Sequence, residues 1–175
     1  MQLFASAVLS MLSFAGLFVG SASSLPAKRQ IISSVHGTLA APNADAVIAP
    51  QETFPFSFET ANLCESGYSP LSVWLLQQPP SDVSLTSSGE YAEGDYLYQF
   101  GDFLVANFGL PQMNTPPPST LVMPNTSDLA QVPMVAEDGT TTVYFTVVET
   151  YSDCPGDVPA EFGVANNVVS YAITI

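Results

Sequence analysis

The clearest alternation in the chain runs from Thr53 to Glu59, with Phe54, Phe56 and Phe58 on one face and Thr53, Pro55, Ser57 and Glu59 on the other. A period of two predicts a half-buried strand. Pro55 cannot donate to a ladder, which predicts an edge strand or one paired on one side only. Leu71 to Gln77 is almost continuously apolar and contains Trp74, the only tryptophan. It predicts a strand buried in the middle of a sandwich, with Trp74 in the core and Pro79-Pro80 as its stop. Phe54 to Leu76 is therefore the expected core, with a loop from Ala61 to Pro70 between its strands.

Weaker patterns continue on both sides. Val47-Ile48 reads as a short edge segment after the turn residues Pro42-Asn43-Ala44-Asp45, and Val83 and Leu85 as a brief strand before Ser87-Ser88-Gly89. Asp95 to Asn107 is a longer β segment, with Tyr96, Tyr98 and Phe100 on one face and Phe103 and Val105 continuing beyond a bend at Gly101. Asn107 to Pro118 reads as a loop whose three prolines stiffen a crossover, and Leu121 to Met123 as another short strand. Pro133 to Ala136 and Thr140 to Glu149 flank Glu137-Asp138-Gly139, a hairpin signal. Asn166-Asn167 predicts a turn before a last strand, Val168 to Ile175. Together about seven to eight short β segments, with no amphipathic helix among them, predict an all-β fold, an antiparallel β-sandwich of immunoglobulin or fibronectin type.

The amino-terminal pattern differs. An apolar run from Leu3 through Val19, followed by small residues to Ser24, predicts a signal peptide over 1–24, and the run is too short for a comfortable membrane span. Residues 25–29 then read as a short propeptide ending in the dibasic pair Lys28-Arg29, which resembles a fungal kexin-type processing site. A single β-sandwich domain over 30–175 is expected to follow, secreted to the extracellular space or cell wall and free of membrane after signal cleavage. Two cysteines in an exported chain predict one disulfide, Cys64 to Cys154. Asn125-Thr126-Ser127 matches the N-glycosylation sequon and follows Pro124, predicting a surface loop.

Charge narrows the function. Lys28 and Arg29 are the only two Lys or Arg in the chain, and all 16 Asp and Glu follow them. Phosphate and carboxylate ligands are normally held by Arg or Lys, so nucleic acid, anionic membranes and nucleotides are poor partners for the mature domain. Excess acid also keeps secreted proteins dispersed. Mutual repulsion without cations is expected to raise carboxylate pKa values, so stability should grow as pH falls from neutral.

No catalytic, cofactor or metal motif stands out. His36 is the only histidine, and no G-x-S-x-G elbow accompanies it. Glu90, Glu93, Asp95 and Asp102, and Glu149, Asp153, Asp157 and Glu161, form two acidic stretches that lack EF-hand order, with solvated loops as the simpler reading. Tyrosine rings stack on sugars, which makes Tyr68, Tyr91, Tyr96 and Tyr98 the candidate ligand contacts, with core packing as the competing explanation. The primary expectation is a non-catalytic, cofactor-free protein of the cell surface, wall or host interface, whose partner is a cell-wall polysaccharide or an extracellular protein. A carbohydrate-binding module is the alternative, and a glycoside hydrolase using two carboxylates the third.

The segments NLCESGYSP and YQFGDFLVANFGLP and the Cys154-Pro155-Gly156 turn, with the signal and dibasic site, resemble the small secreted proteins of filamentous fungi over most of the mature chain. That resemblance implies secretion and an acidic β-rich domain, and no activity.

Overall fold

The computed structural model describes residues 31–152, Cys154 and 160–173. The expected signal and propeptide, with Lys28 and Arg29, lie outside those residues, as do Asp153, Pro155, Gly156, Asp157 and Ile175. The described chain is all-β. Its strands are β1 (Ile31–Ser33), β2 (Thr38–Ala41), β3 (Val47–Ile48), β4 (Thr53–Pro55), β5 (Ser57–Glu59), β6 (Tyr68–Leu76), β7 (Tyr98–Ala106), β8 (Thr120–Val122), β9 (Thr140–Tyr151) and β10 (Glu161–Ala172). None of its helices is long and apolar enough to cross a membrane.

The main sheet has the order β1-β10-β9-β6-β7, and β3 also pairs with β10. β9 and β10 form its spine, in register from Glu161 opposite Tyr151 to Ala172 opposite Thr140. The sheet is mixed, which corrects the wholly antiparallel expectation: β1 and β3 both run parallel to β10. The chain reaches the β10 edge twice while travelling in one direction, and between the two visits it leaves that edge to form β2.

Two small sheets, β2-β5 and β4-β8, supply the facing layer. Thr53 to Glu59 alternates as expected but is not one strand. It changes partner at Phe56, whose N–H donates to the Ser119 carbonyl at 2.9 Å. Pro55 sits where β4 pairs with β8 alone. The Phe54 and Phe56 rings meet Phe145 edge-on, with centroids 5.6 and 5.9 Å away. Leu71, Val73 and Leu75 of β6 and Val143 and Val147 of β9 complete this core.

Trp74 is buried, but on the opposite face. There Leu76, Val148 and Phe162 join it beneath Leu85 and Tyr91 of the segment between β6 and β7. β6 therefore reads as continuously apolar because both of its faces are covered. Tyr96 belongs to this second core and precedes β7, so it does not share a face with Tyr98 and Phe100. Within β7, Gly101 has φ 141° and coincides with a register shift between Val73 and Trp74 of β6. One extra residue in the strand lets even-numbered Tyr98 and Phe100 and odd-numbered Phe103 and Val105 all pack on the Phe core.

Three local expectations give way to long-range pairing. Residues 133–136 form no strand: the Ala136–Thr140 and Gly139–Ala136 backbone bonds close only the Asp-Gly turn, and β9 pairs instead with β6 and β10. Asn166 and Asn167 lie inside β10, opposite Thr146 and Phe145. The Asn167 amide donates to the carbonyls of Leu39 (3.2 Å) and Pro42 (2.8 Å), so a turn residue type serves here as a clamp on the β2 excursion. Val83 and Leu85 reduce to one bridge, between Leu85 and Tyr91. The expected disulfide is present: Cys64 and Cys154 are joined with Cα atoms 4.7 Å apart, across 90 residues of sequence.

Candidate functional site

At the end of β7 the chain turns on a rigid base. The Asn107 side-chain amide donates to the Ser66 carbonyl and the Ser69 hydroxyl, both at 3.0 Å, its oxygen accepts from Thr60 Oγ1 at 3.3 Å, and its backbone N–H donates to Gly67 at 2.9 Å. The Leu110 N–H donates back to the Asn107 carbonyl at 3.0 Å, closing a four-residue turn. Its central residues have φ 53° at Phe108 and φ 70° at Gly109. Glycine suits that left-handed geometry, whereas phenylalanine is strained there. Phe108 is nonetheless 72 % exposed, with Leu110 and Met113 exposed beside it. Tyr68 braces the loop by donating its hydroxyl to the Pro111 carbonyl at 3.1 Å. No charged residue occurs between Asp102 and Asp128. The result is an uncharged apolar tip held out by a fixed frame.

A groove opens at the other edge of the main sheet, where the segment between β6 and β7 crosses β10. It encloses about 400 Å³, walled by Pro80, Val83, Leu85 and Val164, with Ser84 and Asn166 at its mouth and Tyr91 in its lining. Tyr91 is only 4 % exposed and its ring stands edge-on to Trp74, centroids 5.6 Å apart. Burial pushes its phenol well above the ordinary tyrosine range.

A third cluster lies beside the disulfide. Glu149 is on the inward face of β9, continuing the series Val143, Phe145, Val147, and is fully buried. Its carboxylate accepts from the Ala61 and Asn62 backbone N–H groups, both at 3.0 Å, and from the Tyr151 hydroxyl at 3.1 Å. Tyr151 also lies 3.3 Å from the Val35 carbonyl, bringing the amino-terminal lead onto the cluster. Burial first, then the nearby Glu149 charge and hydrogen bond, raise the Tyr151 phenol. No described residue is Lys or Arg, so only neutral donors stabilise this buried carboxylate. Its geometry is that of a staple, closed to substrate.

The four candidate tyrosines occupy different environments. Tyr68 braces the tip, Tyr91 lines the groove, Tyr96 packs on Trp74 with centroids 5.0 Å apart, and Tyr98 packs edge-on to Phe100 at 5.1 Å. They form no single flat row. Among the described residues, no group of three or more His, Cys, Asp or Glu side chains is arranged to hold a metal ion. Glu90 accepts from Ser88 and Asp102 from Gln99, so these acids are engaged in local turns and strand contacts. Asp138 departs from the expected upward shift: the Thr140 hydroxyl and amide donate to it and hold it below the usual carboxylate range. His36 contacts its neighbour's carbonyl, Nδ1 to Gly37 O at 2.9 Å. Asn125 caps a 3-10 turn at Thr126–Asp128, its side-chain oxygen accepting from the Thr126 N–H at 3.2 Å.

Sequence reasoning placed Phe108 in a loop without distinguishing it. The available signal was an aromatic residue directly before glycine in a turn. Glu149 was readable too, since it holds a core position in an otherwise apolar alternation. No protein-family model matches the chain, and neither a curated protein nor a solved structure does so.

Proposed function

We propose that this is a secreted, non-catalytic β-sandwich protein that acts by contact at the cell surface, the wall or a host interface. The observation that carries this reading is the Phe108 tip. A strained residue type held in the open, on a turn fixed by every polar group of Asn107, costs folding free energy that a scaffold does not require. Exposed aromatic anchors with pre-set geometry are what contact surfaces use. The scattered, mostly packed tyrosines give the carbohydrate-binding reading less support.

The sandwich is of immunoglobulin type in this reading. The order β10-β9-β6-β7 corresponds to the G-F-C-C′ sheet of variable-type domains, with Trp74 on the strand equivalent to C. Two departures qualify the correspondence: Trp74 faces away from the Phe core, and the disulfide ties a loop to a segment beyond β9.

The test uses the labelled mature protein on isolated fungal cell walls and on purified chitin, β-glucan, mannan and xylan. Retention on walls alone, lost in Phe108→Asn, is the expected result. Asparagine tolerates the left-handed turn, so this variant removes the ring and keeps the frame. Equal retention of both proteins would refute the tip's role. Retention on one pure polymer would favour the carbohydrate module, and released sugar the hydrolase.

A further inference from the structure

The groove at the β10 edge carries a second assignment, independent of the Phe108 tip at the opposite edge of the sheet. Tyr91 is more than nine-tenths buried, yet its hydroxyl bonds to no other group among the described residues. No fully buried side-chain polar atom lacks a partner among those residues. The Tyr91 hydroxyl is therefore not sealed from solvent, and Tyr91 is part of the groove's lining. A hydroxyl without a protein partner, on a residue that lines an uncharged recess, is a hydrogen-bonding point for a ligand.

The rest of the lining sets the ligand's character. Ile32, Pro80, Val83, Leu85 and Val164 give it aliphatic and proline surface, Ser81, Ser84, Tyr91 and Asn166 give it polar groups in comparable measure, and no charged side chain contributes. The volume of about 400 Å³ lies within the range of small-molecule sites. A carboxylate or phosphate finds no cation here, and an ammonium finds no carboxylate. We infer that this groove binds an uncharged small molecule with a ring-sized, partly apolar body and a hydrogen-bonding group that engages Tyr91.

The probe is N-phenyl-1-naphthylamine, which is neutral, bicyclic and carries one N–H. Its titration into the mature chain is followed by its own fluorescence and by energy transfer from Trp74, the sole tryptophan, which touches Tyr91. Saturable binding of one probe per chain is expected. The sulfonated analogue 8-anilinonaphthalene-1-sulfonate presents the same rings with a negative charge, and should bind at least about tenfold more weakly, as unpaired charges do in uncharged sites. Tyr91→Phe should weaken the neutral probe about threefold to tenfold, the effect of one lost hydrogen bond. Ser84→Phe and Asn166→Trp, each at an exposed mouth position, should fill the groove from opposite sides and abolish binding with the melting temperature unchanged. Absence of saturation, equal affinity for the sulfonate, or full binding by both filled variants would overturn the assignment. Displacement of the probe by cellobiose would replace the apolar ligand with a sugar and overturn it as well.

Discussion

Removing the Glu149 carboxylate tests whether this cation-free fold stabilises its buried charge with backbone donors alone. Glu149→Ala leaves the Ala61 and Asn62 N–H groups, each 3.0 Å from the carboxylate, and the Tyr151 hydroxyl at 3.1 Å without their acceptor. An orphaned donor costs about 1 to 3 kcal/mol when water cannot replace its partner. The two amides are part-buried and Tyr151 keeps its contact with Val35, so about 2 to 4 kcal/mol in total is expected. Glu149→Gln keeps the shape and one acceptor oxygen but turns an NH₂ toward one amide, and should cost about half as much. The assay is equilibrium urea unfolding of the oxidised protein, followed by Trp74 fluorescence, with slopes compared to confirm that the midpoint shift reports stability. A loss under about 0.5 kcal/mol for Glu149→Ala would refute the reasoning, because water would then be satisfying those amides. A glutamine variant less stable than alanine would refute it differently, by showing that repulsion inside the cluster outweighs the acceptor.

Alkaline unfolding should be steep. Tyr91, Tyr151 and Tyr171 all hold their protons above the ordinary phenol range, chiefly through burial, so stability is complete below about pH 10, the unfolded value, and falls as pH rises through it. The slope should be about 1.4 kcal/mol per pH unit for Tyr91 alone, steeper as the other two join with solvent-screened contributions, and a flat stability curve from pH 9 to 11.5 would contradict it. Asn107→Ala should cost about 2 to 3 kcal/mol by removing its three side-chain bonds, and the Leu110 amide, which donates to the Asn107 carbonyl, should gain hydrogen-exchange rate; unchanged exchange there would show that the turn is held by its backbone alone.

Much of the core was legible in the sequence because burial writes a period directly into it. Phe54, Phe56 and Phe58 alternate whichever strand they pair with, so the pattern located the face correctly and missed the change of partner at Phe56, which depends on Ser119. Asn166-Asn167 failed for the opposite reason: their turn propensity is local, whereas the Leu39 and Pro42 carbonyls that claim Asn167 arrive from more than a hundred residues away. The Asp-Gly signal found a real turn, but strand β9 met better partners in β6 and β10 than the chain just before it. The groove was least legible, since Val83, Leu85, Tyr91 and Val164 share no period and only the covering of the second face brings them together.

Gly101 carries a consequence for how this chain tolerates change. The residue count through β7 is offset by one at that point, so Phe103 and Val105 reach the core only because a residue was added before them. A deletion at Gly101 would leave composition and hydropathy almost untouched, yet Phe103 and Val105 would swing to the wrong side and the Asn107 clamp would lose its address. Length variation in this strand is therefore permitted in pairs of residues and forbidden singly, a parity rule set by the alternation of side chains.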